Sequence, residues 1–216
     1  MQTITEAEAA DRLRMLAPSA TRTTIGIVGP PGAGKSTFAA SLLRARPDAC
    51  VIPMDGFHLA QRQLERLGRA GRKGAPDTFD VHGYAALLDR VVAREPVFAP
   101  YFDRGVEEPI AAALFVPPEC PLVITEGNYL MLDDGGWEGI ASRLDEVWYL
   151  DLDPEARRSR LIERHLHFGR THAEAEDWCD RVDEPNAELI ARGRARADLV
   201  IRLANDRLAR DRHLRP

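Results

Sequence analysis

Only three of the 216 residues are cysteine: Cys50, Cys120 and Cys179. They are far apart, odd in number, and have neither a CxxC pair nor a histidine at metal-ligand spacing. That excludes a disulfide scaffold and a sequence-local zinc site, and they read as small buried hydrophobes in a reducing cytosol. No apolar run approaches the roughly 20 residues of a membrane span. The opening stretch, Met1 to Leu16, has acidic residues and no apolar signal core, so a cytoplasmic protein with no membrane partner is expected. Positive charge is also lacking, since the formal net charge is -5. With no field to condense onto a polyanion, no nucleic-acid partner is expected. The arginines of the last stretch (Arg192, Arg194, Arg196, Arg202, Arg207, Arg210, Arg212 and Arg215) alternate with acidic residues and have no aromatics to stack bases. They read as a solvated helical face and tail.

What is present is ordinary globular composition, 44% hydrophobic and 29% charged, without repeats or low-complexity segments. The length suits a single domain, residues 1–216, which folds alone or as a simple oligomer such as a homodimer. Ile4 to Leu16 has near-helical apolar spacing and reads as a lead helix. Thr23–Val28 is a β-branched run stopped by Gly29, followed by a Gly-rich turn and a helical stretch from Ser36 to Arg44. Further apolar runs at Cys50–Met54, Leu122–Thr125, Val147–Leu150 and Leu199–Ile201 have the look of strands buried on both faces. The expectation is an α/β fold of three α/β/α layers around about five parallel strands. Two segments depart from that pattern. Residues 55–110, Gly- and Pro-rich around one helix at Tyr84–Ala93, are expected to be a substrate-binding insertion. Residues 153–190, charged and helical with a break at Gly169, are expected to be a mobile lid.

Gly29-Pro-Pro-Gly-Ala-Gly-Lys-Ser36 satisfies the phosphate-loop pattern G-x-x-x-x-G-K-[ST] between a strand and a helix. Pro30 and Pro31 have no N–H, so the amides that meet phosphate must come from Gly32, Ala33, Gly34, Lys35, Ser36 and Thr37, at the positive end of a helix dipole. Lys35 is expected at the β- and γ-phosphates of ATP, and the Ser36 hydroxyl on Mg²⁺. A guanine-reading N-K-x-D segment is missing. Strand Leu122–Thr125 runs into Glu126-Gly127-Asn128-Tyr129 rather than ending in the aspartate of a switch protein or mechanical ATPase. Glu126 then suits either the metal or the acceptor. Asp55, in Met54-Asp55-Gly56-Phe57-His58, stands at the end of the second central strand, where an acceptor hydroxyl must arrive. It is either the base that takes the acceptor's proton or the cap of an Asp-Gly turn.

The phosphate loop GPPGAGKST followed in order by MDGFH, RKGAPDTFD, PYFDR, ITEGNY and an arginine-bearing lid resembles the group of uridine kinase, phosphoribulokinase and pantothenate kinase. The likeness is strongest to its fructose transport system kinase or nucleoside kinase-like subgroup. It covers about residues 20–205. The resemblance implies that Asp55 is the proposed base, that Glu126 lies near metal and acceptor, and that His58 and Asp77 take the places of acceptor-contacting Tyr and acidic residues. Phe102, Arg104 and Asn128 are further acceptor candidates on the matching motifs. Phe102 stands where uridine kinases have Tyr, and Glu107 where they have a base-reading His, so sugars, nucleosides and pantothenate-like alcohols all stay open. Arg72 and Lys73 form either a solvated basic turn or a receptor for an anionic acceptor. Lid residues Arg157, Arg160 and Arg164 share a helix face by their three- and four-residue spacing, with Arg170 past Gly169. Of these, Arg164 is expected to stabilise transfer and Arg160 and Arg170 to hold phosphate. His82, His165, His167, His172 and His213 show no metal-binding or relay arrangement. Trp137, Trp148 and Trp178 read as packing residues. Asn186 and Arg202 are candidates for bordering acceptor and adenine. The sum is an ATP-dependent kinase acting on a hydroxyl of a small metabolite, with a non-catalytic ATP-binding accessory of a transport system as the alternative.

Overall fold

The computed structural model describes residues 2–16 and 22–203. His213 and the arginine-rich tail from 204 onward lie outside the described residues. Along the chain the strands are β1 (Gln2–Thr5), β2 (Thr23–Val28), β3 (Ala49–Pro53), β4 (Val97–Asp103), β5 (Glu108–Val116), β6 (Leu122–Gly127), β7 (Glu146–Asp151) and β8 (Leu199–Arg202). The helices are α1 (Glu6–Met15), α2 (Lys35–Ala45), α3 (Gln61–Arg66), α4 (Val81–Val92), α5 (Pro154–His167), α6 (His172–Trp178) and α7 (Glu184–Ala191). A π-helical turn, Cys179–Asp183, joins the last two.

Six strands form one parallel sheet in the order β1-β8-β7-β2-β6-β3. The alternation of side chains across the pleat sorts its apolar residues into two cores. Ile25, Ile27, Leu122, Ile124, Trp148, Leu150 and Ile201 pack under α1 and α2. Val28, Val123, Val147, Tyr149 and Val200 face the opposite way, against α4 and the Tyr84, Tyr129 and Trp137 cluster. This is the three-layer α/β/α P-loop fold.

Two elements were not visible as such in the sequence. The stretch read as one lead helix begins with a strand, because Thr5 caps α1 in a reciprocal capping box with Glu8 and sets the helix start at Glu6. β1 thereby adds a sixth strand at the sheet edge. The stretch after α4 folds into the antiparallel β4–β5 hairpin. Buried Arg22 anchors its base, donating to the carbonyls of Val91 (2.7 Å), Pro117 (2.6 Å) and Cys120 (2.9 Å). Arg194 and Arg196, read as part of a solvated face, are instead paired to Asp151 and Asp133.

The register of the parallel strands sets Pro53, Ile27 and Glu126 level with one another. The carboxyl ends of β2, β3 and β6 therefore lie side by side, where a doubly wound sheet opens a ligand crevice. Thr125 ties these ends together: its hydroxyl donates to the Ile52 carbonyl at 2.7 Å and meets the Tyr84 hydroxyl at 2.6 Å.

Candidate active site

A cleft of about 950 Å³ opens over those strand ends, bounded by the phosphate loop, Asp55 and the hairpin turn on one side and by α5, α6 and the π turn on the other. The loop that leaves β2 turns into α2 through Gly34, whose φ of 88° is a left-handed value costly for a residue with Cβ. No side chain caps α2, so the first amides of the helix have no capping partner of their own. Ala33 is buried with its amide spent on the Pro30 carbonyl at 3.1 Å, and its side chain does not line the cleft.

Lys35 lies along the loop and donates to the carbonyls of Gly29 (2.9 Å) and Pro30 (3.2 Å) and to Asn128 Oδ1 (2.6 Å). Burial pulls its ammonium down to about 8, against the pull of Glu126 and Asp55 in the opposite direction. Asn128 is thus a positioning group for the lysine. Ser36 Oγ donates to Glu126 Oε1 at 2.8 Å, and burial together with Asp55 raises the Glu126 carboxyl to about 6.

Asp55 sits in a short 3₁₀ turn, Met54–Phe57, that follows β3. Its Oδ2 accepts from Arg104 Nη2 at 3.1 Å. Its carbonyl meets His58 Nδ1 at 2.8 Å, and the imidazole lies between Phe79 (4.0 Å) and Phe102 (4.7 Å). Burial lowers the His58 pKa and keeps the ring neutral. Gly56 allows this turn to meet the hairpin, since a Cβ there would stand 2.4 Å from the Pro100 carbonyl oxygen.

The cleft collects Asp55, His58, Lys73, Phe102, Arg104, Glu126 and Asn128 from the residues expected around the acceptor. Arg72 and Asp77 are not among its lining: they pair with each other at 2.5 Å, and Asp77 also takes Arg69 at 3.3 Å. Asn186 lines the cleft and Arg202 does not. Among the lid arginines, Arg160, Arg164 and Arg170 face the cleft. Arg157 turns away and is buried, bound to Glu184 at 2.5 Å and to the Pro31 carbonyl at 3.4 Å. Burial lowers the Arg164 pKa, with Asp183 opposing that shift and Arg104 adding to it.

Two aromatic and histidine expectations are corrected. Trp137 and Trp148 are core residues, but Trp178 lines the cleft with the Arg170 guanidinium 3.8 Å from its ring centre. Arg170 Nη1 is buried with no hydrogen-bond partner. His165, for which the sequence shows no metal-binding or relay arrangement, meets Asp183 at 2.8 Å, and Cys179 brings its sulfur within 4.8 Å of both. Burial raises the Cys179 thiol to about 11, so at neutral pH it stays protonated. Sequence spacing could not show this trio, because a turn of α5 and the π turn bring it together.

The parallel sheet, the glycine-lysine loop at the head of α2 and the carboxylates beside it define a nucleotide-binding protein of the P-loop class. The chain is 36% identical to YggC of Escherichia coli (strain K12) over 191 residues, 86% of this chain and 79% of the relative. It is 32% identical to the candidate uridine kinase C227.14 of Schizosaccharomyces pombe, with 83% of each covered. A solved structure of a candidate fructose transport system kinase from Silicibacter sp. TM1040 superposes with a TM-score of 0.84 at 38% identity, covering 91% of this chain and 98% of that one. No family model matches the chain. The chain belongs to the uridine kinase group of P-loop kinases. As an ATP-dependent kinase of this group it binds ATP and acts on a small molecule. None of its described helices is long and apolar enough to cross a membrane.

Proposed function

We propose that the protein transfers the γ-phosphoryl group of ATP to a hydroxyl of a small metabolite, a sugar, a nucleoside or a pantothenate-like alcohol, with Asp55 as the general base. The observation that carries this reading is the convergence in one cleft of the Lys35 and Ser36 phosphate loop with two carboxylates, Asp55 and Glu126. A module that only binds nucleotide has no use for both. Asp55, held by Arg104, takes the acceptor proton as the new oxygen–phosphorus bond forms and the bond from the γ-phosphorus to the bridging oxygen breaks, with ADP leaving.

Two oxygen ligands of the kind magnesium prefers, Ser36 Oγ and Glu126 Oε1, stand 2.8 Å apart, so the residues present fit Mg²⁺. An ion held there by Ser36 and Glu126 would neutralise phosphate charge during transfer. Lys35 and Arg164 stabilise charge on the transferring group, and Arg160 and Arg170 hold the phosphates. Residues 153–190 act as the lid that brings these arginines over the nucleotide and excludes water. Residues 55–110 supply the acceptor side. The test is transfer of label from γ-labelled ATP to a panel of nucleosides, sugars, sugar phosphates and pantothenate. Labelling of one or more is expected. Labelling of none, with ATP bound, contradicts the reading.

A further inference from the structure

The acceptor end of the cleft holds a lysine that its carboxylates, Asp55 and Glu107, leave unpaired. Of the three basic residues in the loop after α3, Arg69 and Arg72 are paired with Asp77 at 3.3 and 2.5 Å, whereas Lys73 has no carboxylate partner among the described residues. Its ammonium donates instead to a neutral acceptor, the Glu107 carbonyl, at 2.7 Å. Glu107 holds that carbonyl in place at a φ of 55°, a left-handed conformation that costs a non-glycine residue about 1 kcal/mol or more. Its own side chain is exposed and pairs with no described residue.

Lys73 and Arg104 then flank one ring: the ammonium lies 5.3 Å and the guanidinium 5.8 Å from the centre of Phe102. The ring face of Phe102 attracts both cations, and apart from the Asp55 contact of Arg104 neither has an anion of its own. Arg104 spends one hydrogen bond on Asp55, and a guanidinium has about five N–H donors. Lys35, Arg160, Arg164 and Arg170 are engaged by the nucleotide and its transferring group on the proposed reading, which leaves Lys73 and Arg104 for the acceptor.

We propose that the acceptor carries an oxyanion, a carboxylate or a phosphate ester, seated between Lys73 and Arg104 against the Phe102 edge of the cleft. The inference rests on the kinase reading above and narrows it. Because Arg104 touches Asp55 as well, the anionic group sits a short chain away from the hydroxyl that is phosphorylated. The substrate class is a short hydroxy acid or a small sugar or polyol phosphate.

The test uses the whole protein with Mg·ATP and matched acceptors that differ in charge. Glycerol is compared with glycerate and glycerol 3-phosphate, and ribose with ribonate and ribose 5-phosphate, so the carboxylate and phosphate arms are read separately. At least one anionic compound should be phosphorylated with kcat/KM well above its neutral parent. Lys73→Met should lower that value about 10–100-fold, the worth of a hydrogen bond to a charged group. Lys73→Arg should restore most of it, and the KM for ATP should stay unchanged in both. Transfer only to neutral compounds, or full activity of Lys73→Met with an anionic one, overturns the inference and leaves the kinase standing. Transfer to none of these compounds overturns the inference alone, and only transfer to none of the wider panel of nucleosides, sugars, sugar phosphates and pantothenate overturns the proposed function as well.

Discussion

Arg104 reaches Asp55 at 3.1 Å across 49 residues of sequence, from the turn of the β4–β5 hairpin to the end of β3. On the proposed reading the hairpin is part of the catalytic apparatus, because it supplies the cation that faces the proposed base. Asp55→Asn keeps the size and the turn-capping ability of the residue but cannot take a proton. The variant should lose about 10²–10⁴-fold in kcat with its acceptor while calorimetry shows near-normal Mg·ATP affinity. A near-normal kcat would move the base role to Glu126.

Gly56 couples the base to the hairpin sterically. Gly56→Ala would place a methyl group 2.4 Å from the Pro100 carbonyl oxygen, and backbone cannot step aside as a side-chain tip can. A stability loss of about 1–3 kcal/mol is expected, with kcat lowered further because Asp55 is displaced along with the turn. Thermal melts and steady-state kinetics check the two effects together.

Lys35→Ala should abolish turnover and weaken ATP binding, since the anchored cation at the phosphate loop is lost. Asn128, the loop carbonyls and Lys35 form one set of contacts. Undiminished turnover of the variant would contradict the assignment of the loop.

The 153–190 segment should respond to nucleotide as a body. Arg160, Arg164 and Arg170 line the cleft with no ion pair among the described residues, so phosphates arriving there should draw them together. Hydrogen exchange across the segment should slow with a non-hydrolysable ATP analogue. Arg157 ties the segment to the phosphate loop and to α7, with its side chain 5% exposed and Glu184 32% exposed. Glu184→Gln should cost about 1–3 kcal/mol, less than a fully buried pair because the acid is partly solvated. The same variant should speed exchange of α5 and α7 without nucleotide. Unaltered exchange with the analogue would mark the segment as a static surface.

The phosphate loop was legible because its chemistry is contiguous and its flanking strand is apolar on both faces. Four other strands announced themselves the same way. β1 did not, because an edge strand of four residues with only Ile4 buried leaves no pattern distinct from the helix that follows. The hairpin was hidden by its composition. Its outer face exposes Phe98 and Phe115, and a bulge beside Pro100 with Ala112 at a φ of 55° breaks the alternation. At the site, motif order located Asp55, Glu126 and Lys73. It could not separate Arg72 and Asp77, which satisfy each other, from Lys73, which does not. That distinction exists only once the loop is folded, as does the meeting of His165, Cys179 and Asp183.

The stacking of Arg170 on Trp178 gives the protein an optical gauge of its own. Trp137 and Trp148 are sealed in the core at 1% and 0% exposure, so their emission is insulated from events in the cleft. Trp178 lies in the cleft wall with a cation 3.8 Å from its ring centre. On the proposed reading phosphates draw that guanidinium away, and the indole's surroundings then change while those of the other two stay constant. Intrinsic fluorescence can then report nucleotide arrival in stopped flow, with no label attached and no acceptor yet identified.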